Sequence, residues 1–106
     1  MRKSFRSQMA LAAILSMAGI VSFAQSGEAT YKGKCQGCHG ASGMADSGAG
    51  KAMKVKPVTD PDVKKMNEAE MIAAVTNGMG KMQPYKGKLS EAEIKGAVEY
   101  FRTFIK

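Results

Sequence analysis

The pentapeptide Cys35-Gln36-Gly37-Cys38-His39 carries the strongest signal in this 106-residue sequence. In a helix, two thiols at this spacing lie on adjacent parts of one face, where both can form thioether bonds to the vinyl groups of one porphyrin. His39 follows directly, and its imidazole can bind the iron from one side of the ring. The motif therefore predicts one covalently attached haem c, with Cys35 and Cys38 as the attachment points and His39 as an axial iron ligand.

Each alternative role for these two cysteines and this histidine lacks a feature that the role requires. A structural zinc site needs four ligands, whereas the sequence contains two Cys and one His in total. A thioredoxin-like pair needs a surrounding strand-helix-strand unit, and the sequence shows no strand pattern. A disulfide that closes so short a loop removes little chain entropy and stabilises little. Haem attachment is the interpretation that uses all three side chains.

The N-terminus has the features of an export signal. Three basic residues open it: Arg2, Lys3 and Arg6. An apolar run over 9–21 follows, and the small-x-small pattern at 22–24 predicts cleavage after Ala24. The run is shorter than the ~20 residues that span a bilayer, so an uncleaved membrane anchor is the weaker interpretation. We expect residues 1–24 to be a signal peptide and 25–106 to be one periplasmic domain.

The patterns of the remaining chain are helical, which predicts an all-α domain. Polar N-cap residues precede stretches in which apolar residues recur at helical spacing. A short helical segment that begins with proline lies between two of these stretches. We expect helices at about 27–38, 61–65, 67–78 and 90–106, with Ser26, Asn67 and Ser90 as N-caps. The intervening stretches 40–58 and 78–88 are rich in glycine and are predicted to be loops.

The sixth iron ligand has two candidates on the residues alone. Most methionines of the domain are expected to be flexible core filler, Met71 among them because it lies on an apolar helical face. Met79 and Met82 stand instead in the glycine-rich loop between the last two helices, and such a loop can fold across the open side of a haem. Both thioether sulfurs are suitable iron ligands.

The segment 80–90 is similar to the distal-ligand loop of small class I cytochromes c, in which a glycine-basic-methionine run leads into the final helix. Residues 25–106 resemble this family from end to end. The resemblance implies the class I cytochrome c fold, three main helices and long loops around one haem, with Met82 as the axial ligand and Met79 as the fallback. The family usually has proline directly after the ligand methionine, whereas Gln83 stands there in this chain.

The resemblance implies contacts as well as ligands. The family packs its first helix across its last through small and aromatic residues, which correspond here to Gly27, Tyr31, Ala97 and Tyr100. A backbone carbonyl normally orients the ligand histidine, and Gly48-Ala49-Gly50 is the nearest equivalent stretch in this chain. Met53, in the same loop, is expected to pack on the haem.

These features favour a one-electron carrier over an enzyme. Iron with one imidazole and one thioether ligand is six-coordinate in both oxidation states, so little rearranges when an electron arrives. The alternative is a haem enzyme, or a sensor of peroxide or gas, with an open sixth coordination position. His39 is the only histidine in the sequence, so no second one is available for acid-base chemistry at an open haem face. A structural or binding module without redox cycling has little support.

The net charge of +7 bears on the choice of partner. Three of these charges belong to the predicted signal peptide, which leaves +4 on residues 25–106. The lysines are dispersed and form no basic stripe with interleaved aromatic residues, so nucleic acid is not an expected partner. We expect a monomer that docks on acidic patches of redox proteins, with weak membrane-surface association as a further option. The docking lysines are expected near the haem edge and are Lys34, Lys51, Lys54, Lys81 and Lys86.

Overall fold

The computed structural model describes residues 23–106, and this part of the chain is helical without strands. The helices are α1 (Phe23–Thr30), α2 (Gln36–His39), α3 (Gly48–Ala52), α4 (Pro61–Lys64), α5 (Glu68–Asn77) and α6 (Glu91–Arg102), and a π-helical turn (Tyr31–Cys35) joins α1 to α2. The all-α prediction is confirmed. Among these helices, none has the length and apolar character needed to cross a membrane. The predicted signal peptide lies, apart from its last two residues, outside the described part.

Local capping explains where α5 and α6 begin. The Asn67 side chain accepts a hydrogen bond from the Glu70 backbone N–H (2.8 Å), and the Glu70 carboxylate accepts one from the Asn67 N–H (3.0 Å). Ser90 and Glu93 repeat this reciprocal arrangement at the start of α6. Gly78 follows α5 with a φ of 82°, a backbone conformation that glycine adopts without strain. Both predicted helix starts and the predicted stop at Gly78 are confirmed.

Three features differ from the expectation. The first helix already includes Phe23, the first described residue, so Ser26 lies within the helix and is not its N-cap. The predicted loop 40–58 contains α3, which forms because the Ser47 side chain accepts a hydrogen bond from a backbone N–H inside the helix (3.0 Å). The last helix ends at Arg102, because the residues beyond it form tighter i→i−3 backbone bonds.

Helix α1 crosses α6 at two glycines. A Cβ atom added to Gly27 would lie 2.6 Å from the carbonyl carbon of Gly96 and 3.1 Å from its Cα, so a larger residue does not fit at this crossing. The resemblance pointed to Ala97 as the facing small residue, and the structure corrects this to Gly96, because the three atoms nearest to that Cβ all belong to Gly96. The close approach brings the Tyr31 and Tyr100 rings to a centroid distance of 5.3 Å, as expected.

A small aliphatic core lies between α5 and α6. Its buried members are Met71, Ile94 and Val98, and the partly buried Val75 and Phe101 pack against them. The burial of Met71 agrees with its expected place in the core. Met71 and Val98 also border a large cavity, so the core forms one wall of that cavity.

Candidate functional site

One cavity of about 1020 Å³ brings together the residues that the sequence analysis singled out. It is lined by all five candidate ligand residues, Cys35, Cys38, His39, Met79 and Met82. The first three belong to residues 31–39, which we call the attachment segment, and the two methionines belong to residues 78–88, which we call the methionine loop. The volume is at the upper end of the range for small-molecule and cofactor pockets. Parts of the chain that are far apart in sequence thus contribute to one site.

Neither cysteine forms a disulfide, and each is partly buried. Burial, and to a smaller extent the neighbouring Cys38, raise the pKa of Cys35 to about 11. The Cys35 thiol is therefore protonated at neutral pH, which argues against a thiolate nucleophile. Two thiols on successive turns of one helical segment fit a thioether attachment site.

The His39 imidazole is enclosed by packing. Burial lowers its pKa, so the ring is neutral at pH 7 and a nitrogen lone pair is available to a metal. The Phe101 ring meets the imidazole edge-on, with 5.4 Å between the ring centroids. The Nδ1 atom of His39 is buried and has no hydrogen-bond partner within residues 23–106. One nitrogen of this ring can ligate iron, and the orientation of the ring depends on its packing.

The carbonyl partner expected for His39 in the stretch 48–50 is not found. The carbonyls of Ala49 and Gly50 instead accept backbone N–H groups at the end of α3 and just beyond it, at 3.0 and 2.9 Å, because this stretch is helical. Gly50 supports the site in another way. A Cβ at Gly50 would clash with the Cys38 carbonyl oxygen, so glycine allows α3 to pack directly on the attachment segment.

The methionine loop turns sharply between its two methionines. The Met79 N–H donates to the Met82 carbonyl (3.1 Å), and the Met82 N–H donates to the Met79 carbonyl (2.9 Å). Gly80 lies in the turn with a φ of 58°, in the left-handed region. Met82 is partly buried, whereas Met79 is 60 % exposed. Of the two thioethers, that of Met82 is the better shielded from water.

Tyr85 ties the methionine loop to two other parts of the domain. Its backbone N–H donates to the Val75 carbonyl of α5 (2.9 Å). Its hydroxyl donates to the Lys34 carbonyl of the attachment segment (3.2 Å). The sequence analysis missed this role, because no local pattern separates Tyr85 from the other two tyrosines of the chain.

The cavity wall is otherwise mainly apolar. Its aliphatic and aromatic members include Val55, Val63, Met66, Met71, Val75, Val98 and Phe101. Met53 also borders the cavity and is 37 % exposed, which is compatible with its expected contact with the cofactor. Phe101 was singled out only for its helical spacing, and its contact with His39 could not be read from that spacing. Such a wall suits a large apolar group.

Charged side chains border the same cavity. Three of the five lysines that we expected near the haem edge do so, namely Lys34, Lys54 and Lys81, whereas Lys51 and Lys86 do not line it. Lys56 and Asp62 are also present and form an ion pair with 2.8 Å between Nζ and Oδ2. The border of the cavity is thus mainly basic.

The donor set matches an iron carried by a porphyrin better than a metal held by protein ligands alone. Within the described residues, no group of three or more His, Cys, Asp or Glu side chains is positioned to hold a metal ion. The cavity offers instead two thiols, one imidazole and five thioethers, two of which belong to the methionine loop, within an apolar wall. These residues fit a flat apolar macrocycle that supplies the equatorial ligands of its own iron.

Comparisons with known sequences agree with this chemistry. The family model described as "Cytochrome C oxidase, cbb3-type, subunit III" matches residues 22–101. Cytochrome c6 from Leptolyngbya boryana is 35 % identical over 77 residues, which cover 73 % of this chain and 87 % of that protein.

A comparison with solved structures gives the same result. The structure titled "KustC0563 c-type cytochrome" matches with a TM-score of 0.68 and 28 % sequence identity, and the match covers 76 % of this chain and 98 % of that chain. This likeness confirms the class I cytochrome c fold that the sequence predicted. The chain belongs to the cytochrome c family, whose members bind haem c covalently and use it to transfer electrons.

Proposed function

We propose that the protein is a one-electron carrier, with one haem c attached to Cys35 and Cys38 and with the iron ligated by His39 and Met82. The observation that carries the proposal is that these four side chains, three from one helical segment and one from a distant loop, border a single apolar cavity. When bound, the haem supplies an iron centre that takes up and releases one electron. The residues of the chain attach the group, ligate its iron and exclude water from it.

Burial favours Met82 over Met79 as the sixth ligand. An iron–thioether bond is best kept where water does not compete for the metal, and Met82 is partly buried while Met79 is 60 % exposed. The reciprocal backbone bonds between the two residues fix the turn that separates them. Met79 is therefore the natural control for Met82, since it is the same side chain in the same loop.

The proposed ligands set the direction of the reduction potential. A thioether ligand favours ferrous iron, and an apolar wall disfavours the additional charge of the ferric state. Both effects raise the potential relative to an iron with two histidine ligands. We expect a positive midpoint potential, and a potentiometric titration measures it. A value well below zero would favour a nitrogenous sixth ligand, such as a lysine.

The basic border of the cavity suggests the partner. We propose that Lys34, Lys54 and Lys81 steer the monomer onto acidic patches of other redox proteins, because these lysines border the cavity and none has an ion pair within the described residues. Association rates with an acidic partner should then fall as ionic strength rises. We place the protein in the periplasm, with residues 1–24 removed; intact-mass measurement of the exported protein should give Gln25 as its first residue.

The optical spectrum tests the central proposal. The chain is expressed with the haem-attachment machinery and purified, and spectra are recorded in both oxidation states. The colour should remain with the polypeptide after denaturation, because thioether bonds are covalent. The ferric protein should show the weak sulfur-to-iron charge-transfer band at the red edge of the visible spectrum. Met82→Ala should abolish this band and lower the midpoint potential, whereas Met79→Ala should leave both unchanged.

Each of the other possible spectra supports a different ligand or contradicts the proposed function. Loss of the band in Met79→Ala alone would assign the ligand to Met79. A wild-type spectrum of high-spin iron would contradict the carrier function and favour an enzyme or sensor with an open sixth position. A folded protein without colour would contradict haem attachment altogether.

A further inference from the structure

Tyr31 makes a hydrogen bond at the end of the attachment segment. Its side chain is 1 % exposed, and its hydroxyl donates to the carbonyl of Gly40, nine positions along the chain. Gly40 directly follows His39 and has a φ of 84°, so it is the residue at which the chain leaves the helix. The Tyr31 hydroxyl is thus bonded to the Gly40–Ala41 peptide unit, one residue beyond the histidine.

The backbone around His39 is held at several points. The Gly40 N–H donates to the Gln36 carbonyl (2.8 Å), and the His39 carbonyl accepts from the Ala45 N–H (2.8 Å). The imidazole itself, by contrast, has no hydrogen bond from Nδ1 within residues 23–106. In many metal sites a hydrogen bond to the second ring nitrogen fixes the plane of the imidazole. Here that task falls to the backbone and to the Phe101 ring packed against His39.

The Tyr31 ring also reaches His39 through Phe101. The Tyr31 and Phe101 rings stack with centroids 6.1 Å apart and an interplanar angle of 27°. Phe101 in turn meets the imidazole at 5.4 Å and 62°. Two series of contacts therefore connect one buried residue to the histidine, one through Gly40 and one through the Phe101 ring.

We propose that Tyr31 is a positioning residue for the iron ligand His39, and that its hydroxyl, by holding the Gly40 carbonyl, fixes the plane of the imidazole. The inference rests on the proposed function, in which His39 ligates the iron. Burial raises the pKa of Tyr31 above its usual range, so the hydroxyl remains a donor at neutral pH.

Tyr31→Phe tests the hydroxyl without removing the ring. The Gly40 carbonyl would keep only the longer bond from the Gly43 N–H (3.3 Å). Tyr100→Phe is the matched control, because it removes a hydroxyl from the neighbouring ring, 5.3 Å away, whose partner is Glu28 and not the attachment segment. Both variants are studied as ferric haem-loaded protein.

Two readouts separate positioning from general stability. Paramagnetic shifts of the haem methyl protons in NMR spectra depend on the plane of the axial imidazole, and Tyr31→Phe should redistribute them. Hydrogen exchange at the Ala45 amide, which is bonded to the His39 carbonyl, should accelerate at least tenfold in Tyr31→Phe. Tyr100→Phe should match the wild type in both. Unchanged methyl shifts in Tyr31→Phe, or equal changes in the two variants, would overturn the proposal.

A measurement on the wild type covers the case in which Tyr31→Phe does not fold. The Tyr31 hydroxyl proton should exchange slowly enough to give its own NMR signal, with nuclear Overhauser contacts to Gly40. Exchange as fast as that of an exposed tyrosine would overturn the proposal. If the proposed function itself is wrong, the spectrum of the wild-type protein will already show that haem or histidine ligation is absent, before any variant is made.

Discussion

The attachment segment and the methionine loop border one cavity but are held in different ways. On the attachment side, Tyr31 is 1 % exposed, and the contact of Gly27 with Gly96 fixes the helix that leads into the segment. On the methionine side, Met79 is 60 % exposed, and a two-residue turn with backbone hydrogen bonds shapes the loop. Packing and hydrogen bonds together hold the first side, whereas the second depends mainly on hydrogen bonds. We infer that the histidine side of the site resists perturbation and that the methionine side opens first.

The largest expected effect on stability concerns the packing on the attachment side. Gly27→Ala would place a Cβ 2.6 Å from the carbonyl carbon of Gly96, and relief of that clash would move the two helices apart. Backbone atoms cannot rotate away as a flexible side chain can. We expect the free energy of unfolding to fall by about 3 kcal/mol. Urea denaturation of the haem-loaded protein, followed by far-ultraviolet circular dichroism, measures this loss.

Gly33→Ala is the matched control for Gly27→Ala. It adds the same methyl group within the π-helical turn (Tyr31–Cys35), where a Cβ meets no atom within 4 Å. We expect the free energy of unfolding to change by less than about 1 kcal/mol. Equal losses in the two variants would mean that the close approach of Gly27 to Gly96 does not hold this side.

The next prediction compares the two sides within one protein. A loop with exposed side chains and a limited set of hydrogen bonds opens at a lower free energy than the packed core. In a urea titration of the ferric protein, the sulfur-to-iron band should therefore disappear at a lower urea concentration than the helical circular dichroism signal. Coincident transitions would show that the methionine loop and the attachment segment unfold as one unit.

The sequence predicted much of the attachment side, because its signals are local. The cysteines and the histidine lie within five consecutive positions, so one short pattern identifies all three. The register of the crossing helices is not local. The resemblance to the family therefore pointed to Ala97 where Gly96 makes the contact, since a correspondence along the sequence does not determine which residue meets another helix.

The methionine side was less predictable. The sequence left Met79 and Met82 as alternatives, and their difference in burial depends on how the turn between them folds. The bond from Tyr85 to Lys34 spans 51 positions and has no local signature. Helix α3 was missed for a related reason, since its cap Ser47 lies in a glycine-rich stretch whose composition indicates a loop.

Tyr85→Phe tests whether the methionine loop is held by its hydrogen bond to the attachment segment. It removes the hydroxyl that joins the methionine loop to the Lys34 carbonyl of the attachment segment at 3.2 Å. We expect the loop to open about 0.5–1 kcal/mol more easily, so that the sulfur-to-iron band is lost at lower urea, while global unfolding changes little. Tyr100→Phe is the control, because its hydroxyl lies 3.5 Å from Glu28 and outside the loop. An equal effect of both variants on the band would contradict a link through Tyr85.

The smallest expected effect concerns the ion pairs of Asp62 at the border of the cavity. Lys56 and Lys65 lie 2.8 and 3.1 Å from its carboxylate oxygens. Their hydrogen bonds and charges, those of Lys56 first, hold the pKa of Asp62 below its usual 3.8. A carboxyl group whose pKa is lower in the folded state stabilises the protein above its unfolded pKa, and this contribution disappears as the pH falls through the folded pKa.

Stability should consequently decline below about pH 4, and Asp62→Asn should make that decline slightly shallower. The change is small because the pair is exposed to solvent, and it should shrink further in high salt. Urea denaturation at pH 7 and pH 3, each at low and high salt, measures it. Glu91→Gln serves as the control, since it removes a carboxylate that has no ion pair within the described residues. If the two variants change the pH dependence of the free energy of unfolding equally, the ion pairs of Asp62 make no specific contribution. The border of the cavity then affects stability only through its net charge.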